Sequence, residues 1–532
     1  MILVVLYVVL LYLILILFFL FVPYGKWNFV LGVWDFFSFT VSFDHGVCMF
    51  FCVLLFISFM IFVYGSFYMS GVNRLVYFFL ILFSFVASMG GLIVFSNSVV
   101  LTLVFWDFLG ISSFFPGLFY NNLSSRCGAM STVFTNRVGD FCIFLFFNGL
   151  ILCSMSYLNY QFFSSLVGLM LFVAAFVKGG QYPYGSWLPK AMAAPTPVSC
   201  LVHSSTLVTA GVMLMDCYDY LSLNSLGLIV IFFTGGFTVI VAGVCGLFEQ
   251  DAKKIVALST MSQMGLCFLT IGCGLHYVSF LHLISHSFFK SLLFMQMGYL
   301  IYVNMGQQDY RGYSFFNNSA GCLVKIQVLV SVFCLCGLMF TSGFFSKEYI
   351  MSCFYSEGYK VFLSFVFLGG IFLTFCYCFR MFNLFMVCFY NSLFWGGYSK
   401  SFSLSSIFLV FFSVVFVSWW FDNFYVVDVF FNRFEYLVGI FYVFLLYFLV
   451  YYSVSSAVLE LKNKFFMDEY ALFIYKLVPN LKFFDNFLLA LNSGVFGLFY
   501  FFTFVSGVLL RGFCSSVMLF LGFVMLFLFL LF

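Results

Sequence analysis

Long apolar runs follow one another along this chain, separated by short polar breaks. The runs are continuous and lack the apolar–polar alternation of barrel strands, so they predict helices. Inside lipid only helices or closed barrels pair every backbone group, which points the same way. At roughly 20 residues per crossing, the runs predict about 16 transmembrane helices, an all-α polytopic membrane protein. The first run, Met1–Val22, has no positive start and no small-residue cleavage site. It is expected to be a retained first helix and not a signal peptide.

Composition strengthens this picture. Of 532 residues, 65% are hydrophobic and 7% charged, against roughly 25% charged in soluble domains. The net charge of +3 comes with no basic run, so nothing suggests a nucleic-acid partner. The 18 cysteines show no CxxC pair and no zinc spacing. They read as small buried hydrophobes, and neither a metal site nor an iron–sulfur cluster is expected. There is no Walker loop, no dinucleotide fingerprint and no haem pattern, so no cofactor is expected in this chain. The 89 phenylalanines and the scarcity of Pro, His and Lys suit a coding strand rich in T and G, a bias common in organelle genomes.

The polar residues concentrate between about 100 and 350. Residues 178–197 read KGGQYPYGSWLPKAMAAPTP and hold four of the seven prolines. Proline deletes a helix hydrogen bond. The stretch is therefore either a loop outside the membrane or a broken helix whose freed carbonyls line a polar cavity, with Pro183, Pro195 and Pro197 as the breakers. Lys178 ends the apolar run before it. In TSGFFSKEYI, Gly343 precedes the abrupt pair Lys347 and Glu348. This is a second interrupted helix or a plain connection; if interrupted, Lys178 and Lys347 become related sites in two repeats.

His282, His286 and Lys290 stand four residues apart in FLHLISHSFFKSLLF. On a helix they share one face at about 6 Å intervals. Such a row is what a proton relay needs, because His titrates near neutrality and a desolvated Lys can give up its proton. Ionisable residues inside a membrane are costly and mark function more often than adhesion between helices. Asp107, in the apolar LVFWDFLGISSFF, requires a partner, with Lys178 and Arg137 as candidates. Arg137 and Asp140, three apart in TNRVGD, are placed to pair on one helix face. The cluster Glu249, Asp251, Lys253 and Lys254 reads as a membrane-edge group that reaches water, not as a proton carrier.

At these residues the chain resembles a known family. WDFLGISSFF, TNRVGD, WLPKAMAAPTPVSCLVHSSTLVTAGV, DAKKIVALSTMSQMG, HLISHSFFKSLLF and GFFSKE are similar to the subunit 5 family of NADH dehydrogenase, the antiporter-like membrane subunits of respiratory complex I. Their relatives include the large subunit of sodium/proton antiporters. The resemblance covers about 100–350. It implies two inverted five-helix repeats with broken helices, then a C-terminal lateral helix near 480–510 and a final transmembrane anchor near 514–532. The divisions it implies are N-terminal helices 1–95, an antiporter-like core 96–390, helices 391–479 and the lateral segment 480–532.

The resemblance also implies roles. Asp107 stands where the family usually has Glu; Lys178 matches its pairing lysine, His203 the histidine of H-S-S-T, and Lys347 the lysine of the second broken helix. Glu348 falls where acids are usual. His282, His286 and Lys290 match the central relay. FMN, iron–sulfur clusters and ubiquinone would belong to other subunits of the complex. Partners would be the neighbouring membrane-arm subunits, above all a subunit 4 type, with accessory subunits and lipids such as cardiolipin. The location implied is the mitochondrial inner membrane. A cation/proton antiporter subunit is the competing reading, and a scaffold with an inactive channel is a third.

Overall fold

The computed structural model describes residues 27–34, 37–43, 45–72, 75–96, 98–155, 160–218, 225–309, 322–338, 341–356, 361–386 and 400–424. The expected first helix, the polar patch around 460–485, the lateral helix and the last span lie outside them. The described fold is helical apart from one antiparallel hairpin, β1 (Trp27–Trp34) with β2 (Phe37–Phe43), whose register shifts between Val30 and Gly32. Long apolar runs did not announce this hairpin, although β2, FSFTVSF, alternates Phe and Val with Ser and Thr.

The helices are α1 (His45–Tyr68), α2 (Leu75–Val94), α3 (Val99–Gly117), α4 (Leu123–Met155) and α5 (Tyr160–Lys178), then the short α6 (Trp187–Ala191) and α7 (Thr196–Leu201). A π-helical turn, Val202–Thr206, leads into α8 (Leu207–Cys217). There follow α9 (Ser225–Phe248), α10 (Ala252–Gly272), α11 (His276–Val303), α12 (Cys322–Cys336), α13 (Ser342–Ser356), α14 (Val361–Met386) and α15 (Lys400–Phe424). Among the described residues seven spans are long and apolar enough to cross a bilayer, α7–α8 counting as one.

α11 is the axis of the described helices. It packs against α1, α7, α8, α10, α12, α13 and α15, and its residues from Leu281 to Ile301 are buried on every face. A helix buried all round has no water-facing side on which to place polar groups, so those it carries need protein partners. Serines supply their own: Ser285 Oγ donates to His282 O at 2.9 Å, Ser287 to Ile284 O at 2.6 Å and Ser291 to Phe288 O at 2.9 Å. Hydroxyls satisfied within one helix can be carried into the core at small cost.

Two helices stop inside the bundle by the same device. α5 ends at Lys178 and Gly180 takes φ +64°; the amide of Gln181 then donates to Phe176 O and that of Gly180 to Val177 O. α12 ends at Cys336 and Gly337 takes φ +78°, with the Leu338 amide on Phe333 O. Both use a left-handed glycine to close the last turn. After the first break, Pro183 leads into a short 3-10 turn, Pro195 precedes α7 and Pro197 stands in its first turn. Those last two prolines start a helix, where a missing amide hydrogen costs nothing.

Candidate functional site

The site is a polar seam along α10 and α11, closed by α13 and α14. The i, i+4, i+8 spacing brings His282, His286 and Lys290 onto α11, all wholly buried. His282 is held at both ring nitrogens, Nε2 to Gln263 Oε1 at 3.1 Å and Nδ1 to Ser346 Oγ at 2.9 Å. The Gln263 oxygen only accepts, so Nε2 carries the proton and Nδ1 faces the hydroxyl. Gln263 Nε2 donates to Tyr377 OH at 3.2 Å, and Tyr377 OH lies 3.0 Å from Ser262 Oγ. Lys290 Nζ donates to Ser259 Oγ at 2.5 Å. His286 sits between them with its ring edge-on to Phe289, and neither of its nitrogens has a hydrogen-bond partner among the described residues. One imidazole is therefore fixed by its bonds, and the next is held by packing alone.

Gln263, Tyr377, Ser259 and Ser346 were not singled out from sequence. Ser259, Ser262 and Gln263 recur at helical spacing in STMSQMG, a signal that periodicity could have caught. Tyr377, between two cysteines in an apolar run, carried none. Replacing Tyr377 by Phe removes an acceptor from Gln263 and a partner from Ser262. Leaving a buried donor unsatisfied costs about 1–3 kcal/mol, so Tyr377→Phe is expected to lower thermal stability and to slow proton transfer past His282. Native-gel melting and proton-yield measurements check both.

Lys347 stands on α13 and reaches back across the break. Its Nζ donates to Leu335 O at 2.7 Å and Cys336 O at 3.2 Å, with Thr374 Oγ1 at 3.4 Å. The ammonium thus caps the carbonyls that α12 leaves open, where the helix dipole is negative. Glu348, its neighbour, is half-buried. The break itself falls at Gly337; Gly343 lies in the first turn of α13, pressed against the carbonyl of Cys334.

Lys178 is arranged differently. Its Nζ donates to Trp106 O at 2.9 Å and stands 4.4 Å above the indole ring, a cation–π contact. Gly110 on α3 lies beside it. Of the two candidate partners for Asp107, the structure selects Arg137: Nη1 lies 3.5 Å from Asp107 and 3.4 Å from Asp140. Asp140 is buried, whereas Arg137 is half exposed. The lysine meets the triad through Trp106, the residue before Asp107.

His203 is presented by the π-helical turn. Hydroxyls of Ser204, Ser205 and Thr206 bond to the carbonyls of Cys200, Leu201 and Val202 and widen the ladder. π-turns recur at functional sites. The His203 ring packs 6.0 Å from that of Trp187, whose Nε1 donates to Val177 O at 3.1 Å, tying His203 to the end of α5. A small cleft of about 20 Å³ lined by Ser113, Thr132, Trp187, Lys190 and His203 opens here.

The charge cluster before α10 divides. Asp251 and Lys254 pair at the surface, while Lys253 is buried and donates to Ala194 O at 3.1 Å. The expectation that all these charges reach water is corrected for Lys253 and for Glu249, both of which are buried. The carbonyl just before Pro195 captures the Lys253 ammonium from across the bundle. No group of three or more His, Cys, Asp and Glu is placed to hold a metal ion among the described residues.

Residues 96–374 match the family profile described as NADH:quinone oxidoreductase/Mrp antiporter, TM. The chain is 44% identical to NADH-ubiquinone oxidoreductase chain 5 of Ascaris suum, over 89% of this chain and 86% of the relative. Against the protein of the same name from Caenorhabditis elegans it is 41% identical, over 89% and 90%. Among solved structures, a chain of the Mrp complex from Dietzia superposes with TM-score 0.75 at 20% identity, covering 90% of this chain and 56% of that one. A chain of the archaeal membrane-bound sulfane sulfur reductase gives 0.67 at 18%, covering 78% and 89%. These two likenesses are of fold.

Proposed function

The chain belongs to the NADH:quinone oxidoreductase/Mrp antiporter family, and on that premise we propose that it is the proton-translocating core membrane subunit of NADH:ubiquinone oxidoreductase. The observation that carries this reading is the buried seam of His282, His286 and Lys290 with Gln263, Tyr377 and Ser259. It offers exchangeable protons on three helices, α10, α11 and α14, with no redox group required among them. Protons pass along α11 between imidazole and ammonium, and Ser259, Ser262 and Tyr377 carry the line to α14. Lys347 on one side, and Lys178 with the Asp107–Arg137–Asp140 triad on the other, are the flanking stations. Electron transfer and quinone reduction in other subunits, which hold FMN, iron–sulfur clusters and ubiquinone, supply the drive.

The site of action is the mitochondrial inner membrane. A neighbour of the subunit 4 type docks on the face of α3 and α4, where Phe108, Phe115, Phe134 and Phe141 are exposed around Asp107 and Arg137. An ion pair on an apolar membrane face is costly unless protein covers it. Accessory subunits and lipids such as cardiolipin complete the surroundings. Purification of the native complex tests the reading: the chain should comigrate with NADH-oxidising activity on native gels, and its absence from that assembly would overturn it.

A further inference from the structure

The relay row on α11 does not begin at His282. Two turns earlier the helix starts at His276, whose Nδ1 lies 3.5 Å from Asp216 Oδ1 at the end of α8. Ser279 Oγ points to the same carboxylate oxygen at 3.4 Å. His276 and Asp216 keep 25% and 16% of their side-chain surface exposed, whereas Ser279 and everything further along the row is buried. The groups follow one another at helical spacing: His276, Ser279, His282, His286, Lys290. From α10, Cys267 Sγ bonds to Ser279 O at 3.9 Å one turn from Gln263, which holds His282.

We propose that the Asp216–His276 pair is the aqueous port of the relay, the place where protons pass between water and the buried row. The proposal rests on reading the chain as a proton carrier and adds where that path meets solvent. Imidazole suits the task because it takes a proton at one ring nitrogen and releases one from the other. The adjacent carboxylate orients the ring and balances the charge while the imidazole holds two protons. Ser279 then stands between the port and His282; its hydroxyl donates to His276 O at 2.5 Å and lies 3.4 Å from Asp216 Oδ1.

The port also has a side. Two connections at this end, residues 218–224 and 273–275, contain no Lys or Arg, and the sequence just before α14 has the single Lys360. At the opposite end α10 begins with Lys253 and Lys254, and Asp251 bridges to Asp309 beyond α11. Positive residues mark the side from which a membrane chain is inserted. The port therefore opens on the face across the membrane from that side.

The test uses the assembled complex in closed vesicles, reading protons moved per NADH oxidised. His276→Ala and Asp216→Asn should each lose most of the proton yield. Imidazole added on the port side should restore His276→Ala, and should not restore Lys290→Met, whose lesion is buried. A normal yield in His276→Ala beside a low yield in Lys290→Met overturns the port and leaves the relay standing. A normal yield in both overturns the relay reading itself. A low yield in assembled His276→Ala that imidazole does not restore assigns the pair a structural role and also overturns the proposal. Should His276→Ala fail to assemble, His276→Gln keeps a hydrogen-bonding group of similar reach without a titratable ring, and its normal proton yield would count against the port.

Discussion

Lys290→Met is expected to abolish most of the proton yield while the complex still assembles. The two halves of that result come from different physics. Lys290 is wholly buried and bonds to Ser259; no acidic side chain pairs with it among the described residues. Exchanging a buried charge for an apolar side chain of similar volume is often neutral or stabilising. Ser259 keeps its bond to Val256 O, so the exchange leaves no orphaned donor. Packing on α11 therefore survives. Proton transfer does not, because methionine offers no exchangeable proton between His286 and Ser259. Losing a positioned proton-transfer group costs about 10²–10⁴ in rate. Lys290→Ala adds a cavity to the same lesion and should assemble less well. A variant of either kind that assembles and moves protons at the normal yield would remove Lys290 from the relay.

The contrast between Lys290 and Lys347 shows which parts of the site were legible in the sequence. Helical spacing put His282, His286 and Lys290 on one face, and burial of the whole helix follows from the apolar residues around them. Those arguments are local, so three residues in register were enough. What each side chain bonds to is not local. Ser259 and Gln263 come from α10, Ser346 from α13 and Tyr377 from α14, across sequence separations of 19 to 115 residues. Asp107 illustrates the same limit. Its need for a partner was readable, but choosing Arg137 over Lys178 depended on how α3, α4 and α5 cross. Lys253 went the other way: charge density suggested a solvated edge, and only the position of Ala194 O explains its burial. The hairpin at 27–43 was legible only in part: β2, FSFTVSF, alternates apolar with polar residues, but β1, WNFVLGVW, breaks the alternation by which strands are read.

Gly343→Ala should have the largest effect of any glycine-to-alanine change among the described residues. A Cβ at Gly343 would overlap the carbonyl oxygen of Cys334, which belongs to the backbone of α12 and has no rotamer to escape into. Interiors are packed too tightly to absorb such an overlap, and added atoms in a filled core cost about 1–3 kcal/mol or more. The strain has one outlet, which is to push α13 away from the end of α12. Lys347 rides on α13, and its ammonium holds Leu335 O and Cys336 O at 2.7 and 3.2 Å. Moving the helix lengthens both bonds and exposes the carbonyls that the lysine caps. Ser346, one residue before, would also leave His282 Nδ1, now 2.9 Å away. One methyl group thus detaches the second broken helix from the relay at two points. The assembled complex should melt earlier on native gels, and what remains should move fewer protons per NADH. Gly337→Ala strains the same break through its positive φ and also crowds Lys347 Cδ at 3.0 Å and Gly343 O at 3.2 Å on α13. If Gly343→Ala assembled with normal melting and normal proton yield, the close approach of α12 and α13 would not be what holds Lys347 and Ser346 in place.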